Sequence, residues 1–292
     1  MANSNGWGDG SANNAIGWGQ GANNAVSWGS SHATSLSGLT NIVGGVPLDV
    51  DASAFITAAA ITDATQQTAI DTLVTGLKTD GLWTKMKAIY PFVGGTATSH
   101  KFNLKDPRDL DAAFRLVFNG GWTHSSTGAL PNGTNAYADT KVINNINLTD
   151  KQSHFSAYLR TLNVGLGWFG YYNGNSVFGL QQNAAVSNIG VGTNNLSAYI
   201  ATPSIGYYIG STNITTGNVY KNGASAYNVT GINIVTQNLN FYLGGLNVNG
   251  TPNFYDTHQY AMSTLGDSLN ATDAGKLNTR VQAFQTTLSR QV

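Results

Sequence analysis

From Leu110 to Ser268 apolar residues alternate with polar ones in short runs, and turn-forming clusters part the runs. That pattern confines the stretch to antiparallel β structure. Phe114, Leu116 and Phe118 alternate with Arg115 and Val117; Phe155, Ala157 and Leu159 alternate with Ser156, Tyr158 and Arg160; Leu239, Phe241 and Leu243 repeat the pattern. Between them stand Pro131-Asn132-Gly133, Asn173-Gly174 and Lys221-Asn222-Gly223-Ala224. The last puts Asn-Gly where a two-residue type I′ hairpin needs positive φ twice. Strands with one apolar face each close a core by pairing as two sheets, so a mainly β chain built on an antiparallel β-sandwich is expected.

Composition agrees and narrows the function. Gly (35) and Asn (33) dominate the 292 residues, and both tolerate tight turns. Charged residues make up 10% against about 25% in an ordinary domain, the net charge is zero, and all 14 acidic residues are Asp. So sparse and balanced a charge lacks the basic footprint of phosphate binding, and no nucleic-acid partner is expected. With no Cys there is no disulfide, thiolate ligand or Cys nucleophile. The polar start, Met1 to Gly10, lacks the pattern of a secretion signal, and no run approaches the 18 apolar residues of a spanning helix, so no membrane insertion is expected.

The flanks differ from the sandwich. Ala12-Asn13-Asn14-Ala15-Ile16-Gly17-Trp18-Gly19 returns as Ala22-Asn23-Asn24-Ala25-Val26-Ser27-Trp28-Gly29, with Gly6-Trp7-Gly8 as a partial copy. Units of about ten residues cannot close a core alone. Residues 1–46 read either as a flexible low-complexity tail or as an attachment arm whose Trp7, Trp18, Trp28, Ile16 and Val26 become covered in an assembly. Residues 47–105 read as a small helical connector, with a helix over Asp63–Lys78 capped by Asp63 and striped by Ile70, Leu73, Val74 and Leu77. Residues 106–292 hold the sandwich and a C-terminal helix. Its stripe Ala274, Leu277, Val281, Phe284 and Leu288 either packs on its own domain or joins a three-fold bundle.

Motifs for catalysis are missing. There is no His-Glu-x-x-His, no Gly-x-Ser-x-Gly and no Walker A loop; Gly165 to Gly170 matches Gly-x-Gly-x-x-Gly, but no helix follows to hold a pyrophosphate. Asp106, Asp109 and Asp111 could hold a hard cation, but turn and cap formation accounts for them without one. A retaining glycosidase needs two carboxyl groups about 5–5.5 Å apart, and a chain without Glu has no Glu-x-Asp-x-x-Glu strand motif. No catalytic residue, cofactor or metal is assigned, and the chain is expected not to be an enzyme. Sugar binding asks only for aromatic faces beside amides. Trp168, Tyr171, Tyr172 and Asn173 offer both at one hairpin end, the alternative being that these aromatics fill the core.

Three stretches carry a family resemblance: Leu82-Trp83-Thr84-Lys85-Met86-Lys87-Ala88-Ile89-Tyr90-Pro91, Asn103 to Asp111, and Gly120-Gly121-Trp122-Thr123-His124-Ser125-Ser126-Thr127-Gly128. Together with Tyr220-Lys221-Asn222-Gly223, Tyr242-Leu243-Gly244-Gly245 and Gln282 to Leu288, they make residues 51–292 resemble structural proteins of tailed phages of Bacteroidota. The resemblance implies a laminin-G-like, concanavalin-type jelly roll with no catalytic motif to carry over. It further implies a virion protein, a surface fibre or capsid decoration, anchored by its N-terminal arm to other virion proteins and displaying the sandwich toward host-surface glycan. A homotrimer is the expected assembly. A freestanding glycan-binding lectin and a tail-fibre receptor-binding protein are the alternatives.

Overall fold

The computed structural model describes residues 42–43, 46–162, 167–174, 176–182, 187–193, 197–200, 205–231 and 237–292. The expected anchors Trp7, Ile16, Trp18, Val26 and Trp28 lie outside the described residues. The chain divides into two compact units, Met1–Pro47 and Leu48–Val292. In the first, Ile42–Val43 (β1) pairs with Val46–Pro47 (β2).

The second unit opens with helices α1 (Val50–Ala58) and α2 (Ala64–Thr79). Asp63 caps α2 by accepting the Gln66 N–H at 2.8 Å, and Ile70, Leu73, Val74 and Leu77 are buried, as the sequence pattern requires. Then come β3 (Met86–Tyr90), the single-turn helix α3 (Ala97–His100), β4 (Val117–Asn119), β5 (Trp122–Ser125), β6 (Gly128–Pro131), β7 (Tyr137–Ile143) and a short α4 (Asn144–Asn147). They are followed by β8 (Ser153–Leu159), β9 (Gly167–Tyr172), β10 (Ser176–Gln182), β11 (Ser187–Thr193), β12 (Ser197–Ile200), β13 (Gly206–Asn213), β14 (Thr216–Lys221) and β15 (Ala224–Thr230). The chain closes with β16 (Asn240–Leu243), β17 (Leu246–Val248), β18 (Thr251–Asn253), β19 (Tyr260–Asp267) and helix α5 (Ala271–Thr287).

Two sheets form the expected mainly β sandwich. One runs β15-β14-β13-β8-β19-β6-β5, with β3 also paired to β19; the other runs β12-β11-β10-β9-β16-β7-β4. Among the described residues all pairings are antiparallel except β17 beside β9, which is parallel; β18 pairs with β17. The Lys221↔Ala224 pair closes the β14/β15 hairpin, with Asn222 and Gly223 at φ 49° and 79°, the type I′ turn that Asn-Gly predicts.

There are two cores. Between the sheets lie Phe155, Ala157, Leu159, Phe169, Tyr171, Phe178, Leu180, Phe241 and Leu243. On the far side of the first sheet, α1, α2 and α5 cover Tyr158, Tyr207, Ile209, Ala261 and Met262. Strand β8 is therefore buried along its whole length, on both faces. Its polar residues satisfy one another. Tyr207 Oη donates to Ser156 Oγ at 2.9 Å, Thr264 Oγ1 lies 2.6 Å from Ser156 Oγ, and the buried His154 ring bridges Thr264 Oγ1 and the Asp267 carbonyl.

This arrangement corrects two expectations and decides between two readings of a third element. Residues 47–105 are not a separate connector, because β3 pairs with β19 through Ser263↔Tyr90 and Thr264↔Ile89 and the helices share a core with the sheet. Of the two readings of the α5 stripe, the structure shows packing on its own domain: Ala274, Leu277, Val281 and Phe284 enter that same core and are used there rather than in a three-fold bundle. The alternation at Phe114–Phe118 is not one strand: a turn of 3₁₀ helix ends at Phe114 in the left-handed region (φ 59°), and only Val117–Asn119 pairs.

Candidate functional site

No described helix lies over the outer face of the second sheet, but that face is not open throughout: Val177, which pairs with Tyr172, and Leu246, which pairs with Gly170, are 3% and 2% exposed. Strand alternation decides what points there. In β9, Phe169 and Tyr171 point inward, while Gly170 and Tyr172 take the other side. Tyr171 is 2% exposed and its ring lies 5.8 Å from that of Phe178, so of the expected sugar-binding residues it is a core residue instead. Tyr172 is half-buried, and its hydroxyl donates to the Gly174 carbonyl at 2.7 Å, which pins the ring beside Asn173. Trp168 sits on β9, and its side chain lies outside what the structure describes.

Beside the Tyr172-Asn173-Gly174 turn runs a second one. Val248 pairs with Tyr172, the Asn249 N–H donates to the Tyr172 carbonyl at 3.0 Å, and Gly250 donates to Asn247 Oδ1 at 2.8 Å. Strands β17 and β18 then lead to Asn253, Phe254 and Tyr255. Phe254 stands 40% exposed at φ 49°, an uncommon backbone state for a bulky residue, held by its N–H donating to Asn253 Oδ1 at 2.8 Å. No periodic signal in the sequence marks Phe254; only the flanking Pro252-Asn253 turn chemistry hints at its position.

Farther along the face, Tyr137 and Tyr242 rings lie 4.8 Å apart at 32°. Burial, then the charge of Asp139, then Tyr137 push the Tyr242 phenol up to about 12, so it stays a neutral hydrogen-bonding group. Asp139 is fixed by Asn240 Nδ2, which donates to both carboxylate oxygens at 3.0 and 2.9 Å, and by Lys141 Nζ at 3.0 Å. Gly170, Gly179 and Gly190 face one another on adjacent strands, leaving a lane without side chains across β9, β10 and β11. Taken together, this side offers the half-buried rings of Tyr172 and Tyr137 with amide groups beside them, while Tyr242 and Asp139 are buried beneath. Stacking and hydrogen bonding to hydroxyls are the chemistry such a surface supports.

Elsewhere the titratable groups are used internally. Asp106 is bound to Arg108, Asp109 to Lys101 and Arg115, and Asp111 to Arg115 and Lys141; these ion pairs, rather than turns alone, occupy the acidic cluster. Asp256 accepts from His258 Nδ1 at 2.5 Å and from the Tyr260 hydroxyl, with all three side chains buried; the neighbouring imidazole holds the carboxyl low against the opposing effect of burial. Among the described residues, no three His or Asp side chains converge as a metal site.

No protein-family model matches the chain, and no curated protein matches it. Among solved structures, it is similar to a botulinum neurotoxin type C structure described by cell entry dependent on two ganglioside molecules. That match has a TM-score of 0.50 at 9% identity, over 70% of this chain and 53% of the other, about half the toxin chain's length. It is also similar to domain 4 of an extracellular arabinanase from Geobacillus stearothermophilus in complex with arabinotriose, at TM-score 0.42 and 16% identity, over 66% of this chain and 98% of that one. At these identities the toxin match speaks for the β-sandwich fold alone.

Proposed function

We propose that this chain is an adhesion protein whose sandwich binds glycan on the outer face of the second sheet, and that it is carried on a phage particle. The observations that carry the binding reading are the half-buried Tyr172 beside Asn173 on that face and the 40% exposed Phe254 beside Asn253 at the end of the neighbouring β17/β18 hairpin, with no helix over the face among the described residues. Aromatic stacking plus amide hydrogen bonds is what sugar rings ask for. The ganglioside dependence of the sandwich-bearing toxin is in keeping with the same use of this fold. Adhesion needs no reacting group, and the reading assigns none.

The virion role, anchoring through the N-terminal arm to other virion proteins, and a homotrimer rest on the sequence resemblance and on the Trp7, Trp18 and Trp28 repeat. Because the α5 stripe is used inside the subunit, association in this reading falls to the arm. Two measurements test the proposal. A glycan array with the full chain should give hits that Phe254→Ala and Tyr172→Ala weaken together; no hits, or hits indifferent to both variants, would reject the binding face. Native mass measurement should find the full chain oligomeric and a chain beginning at Pro47 monomeric; equal masses would remove the arm as the assembly element.

A further inference from the structure

A separate concave region lies away from that face. Between the start of β3, the end of β19 and the loop after α4 opens a cleft of about 610 Å³, within the size range of small-molecule sites. Lys85, Lys87 and Lys105 line it, with Asp106 and Asp267, and Thr84, Asn147, Thr149 and Phe114 complete the wall. The three lysines differ in what holds them. Lys85 Nζ is paired with Asp273 at 2.7 Å. Lys105 donates to the Trp83 carbonyl at 3.0 Å and rests 4.1 Å from the centre of the Trp83 ring; Lys87 lies 5.2 Å from the centre of the Phe114 ring. Neither Lys87 nor Lys105 has a carboxylate within ion-pair distance among the described residues.

Of the two acids of the cleft, Asp106 is neutralised by Arg108, whereas Asp267 bonds within the wall and keeps its charge. Both oxygens of Asp106 accept from Arg108, at 2.8 and 2.6 Å, and Asp267 Oδ1 accepts from Thr149 at 2.7 Å. The buried His154 donates Nδ1–H to the Asp267 carbonyl at 2.6 Å, fixing that wall. Three lysines against two aspartates leave the lining at +1 (3 − 2). Lys87 and Lys105 line the cleft half-buried and without an ion-pair partner among the described residues, although the charge of Asp51 acts on Lys105; they favour an anion, and the single excess charge matches a carboxylate better than a phosphate dianion. The amide and hydroxyl groups around them suit sugar hydroxyls.

We infer that this cleft binds the carboxylate of an acidic saccharide through Lys87 and Lys105. The choice of a saccharide rests on the glycan-binding reading above; the choice of an anion does not. Burial already lowers the proton affinity of the Lys105 amine, and a bound carboxylate would reverse that effect.

The test titrates the full chain with N-acetylneuraminate, glucuronate, the methyl esters of both, and inorganic phosphate, by calorimetry or ligand-observed NMR. The free acids should bind about tenfold or more tighter than their esters, the worth of a charge-assisted contact, and Lys87→Gln and Lys105→Met should each erase that preference. Lys87 makes only a ring contact, so Lys87→Gln keeps the test open if Lys105→Met fails to fold. Acids and esters binding alike, or an acid preference that survives Lys87→Gln in a folded protein, would overturn the inference. Phosphate binding as tightly as the sugar acids would overturn the assignment to a saccharide. Phe254→Ala should leave acid binding unchanged even where it abolishes array hits, which separates failure here from failure of the outer-face reading.

Discussion

Arg290 offers the sharpest test of how the helical layer is joined to the sandwich. Its guanidinium is 1% exposed and donates to the Phe92 carbonyl at 2.8 Å, the Pro91 and Ala261 carbonyls at 3.1 Å each, and Gln285 Oε1 at 2.9 Å. One side chain thus ties the segment after α5 to the segment after β3 and to β19. In Arg290→Met, the Ala261 carbonyl keeps a bond from Gln285 Nε2 at 3.3 Å, whereas Phe92, Pro91 and Gln285 each lose a donor. Three buried acceptors left short cost about 1–3 kcal/mol each, and relief from burying a cation offsets part of that, so a net loss of about 3–4 kcal/mol is expected. For a unit of this size that is roughly 10 °C in Tm. Urea unfolding followed by tryptophan fluorescence should show a lower midpoint with the slope unchanged. Arg290→Lys should recover little, because a compact ammonium cannot span acceptors arranged around a planar fork. A stability within about 1 kcal/mol of the parent for Arg290→Met would refute the view that this hub secures the helices to the sheet.

Other predictions concern the buried polar layer and the tight backbone contacts. Burial lowers His154 from 6.5 to about 4, and burial with the nearby His124 lowers His100 to about 3. Both are neutral in the folded chain while the unfolded chain takes up protons. Stability should therefore be intact above pH 6.5 and fall as the pH drops toward 4, by up to about 2–3 kcal/mol per pH unit; unfolding curves that superimpose at pH 7 and pH 5 would contradict this. Gly128 has φ 135°, and a Cβ there would sit 2.2 Å from the Tyr260 carbonyl oxygen, so Gly128→Ala should destabilise by about 2–4 kcal/mol in thermal melts. Asp256→Asn removes the buried charge opposite His258 and turns one of the two acceptor oxygens into an NH2 donor, so either His258 or Tyr260 loses its acceptor, and it should cost about 3 kcal/mol by urea unfolding.

Local chemistry made part of this fold legible. Asp63 three residues before Gln66 and the Asn222-Gly223 turn each set their own geometry, and each stands where its residues dictate. What was hidden depends on distant partners. The run Phe155–Arg160 reads as a strand with one wet face, yet Ser156 is dry because helices far along the chain cover it and Tyr207 and Thr264 satisfy it. The place of β3 is set by a pairing to β19 more than 170 residues later, which no periodicity encodes. In the candidate site, Tyr171 and Tyr172 look equivalent in sequence; the pleat of β9 sends one into the core and leaves the other at the surface. Phe254 follows a hairpin that pairs in parallel beside β9, a pairing no local pattern in the sequence signals.

Hydroxyl-radical footprinting of the full chain, alone and saturated with its strongest array glycan, tests the central claim most directly. Binding at the outer face of the second sheet predicts protection of Tyr172 and Phe254 with the α1, α2 and α5 residues unchanged. Protection confined to the helical side, or none at either aromatic, would contradict it.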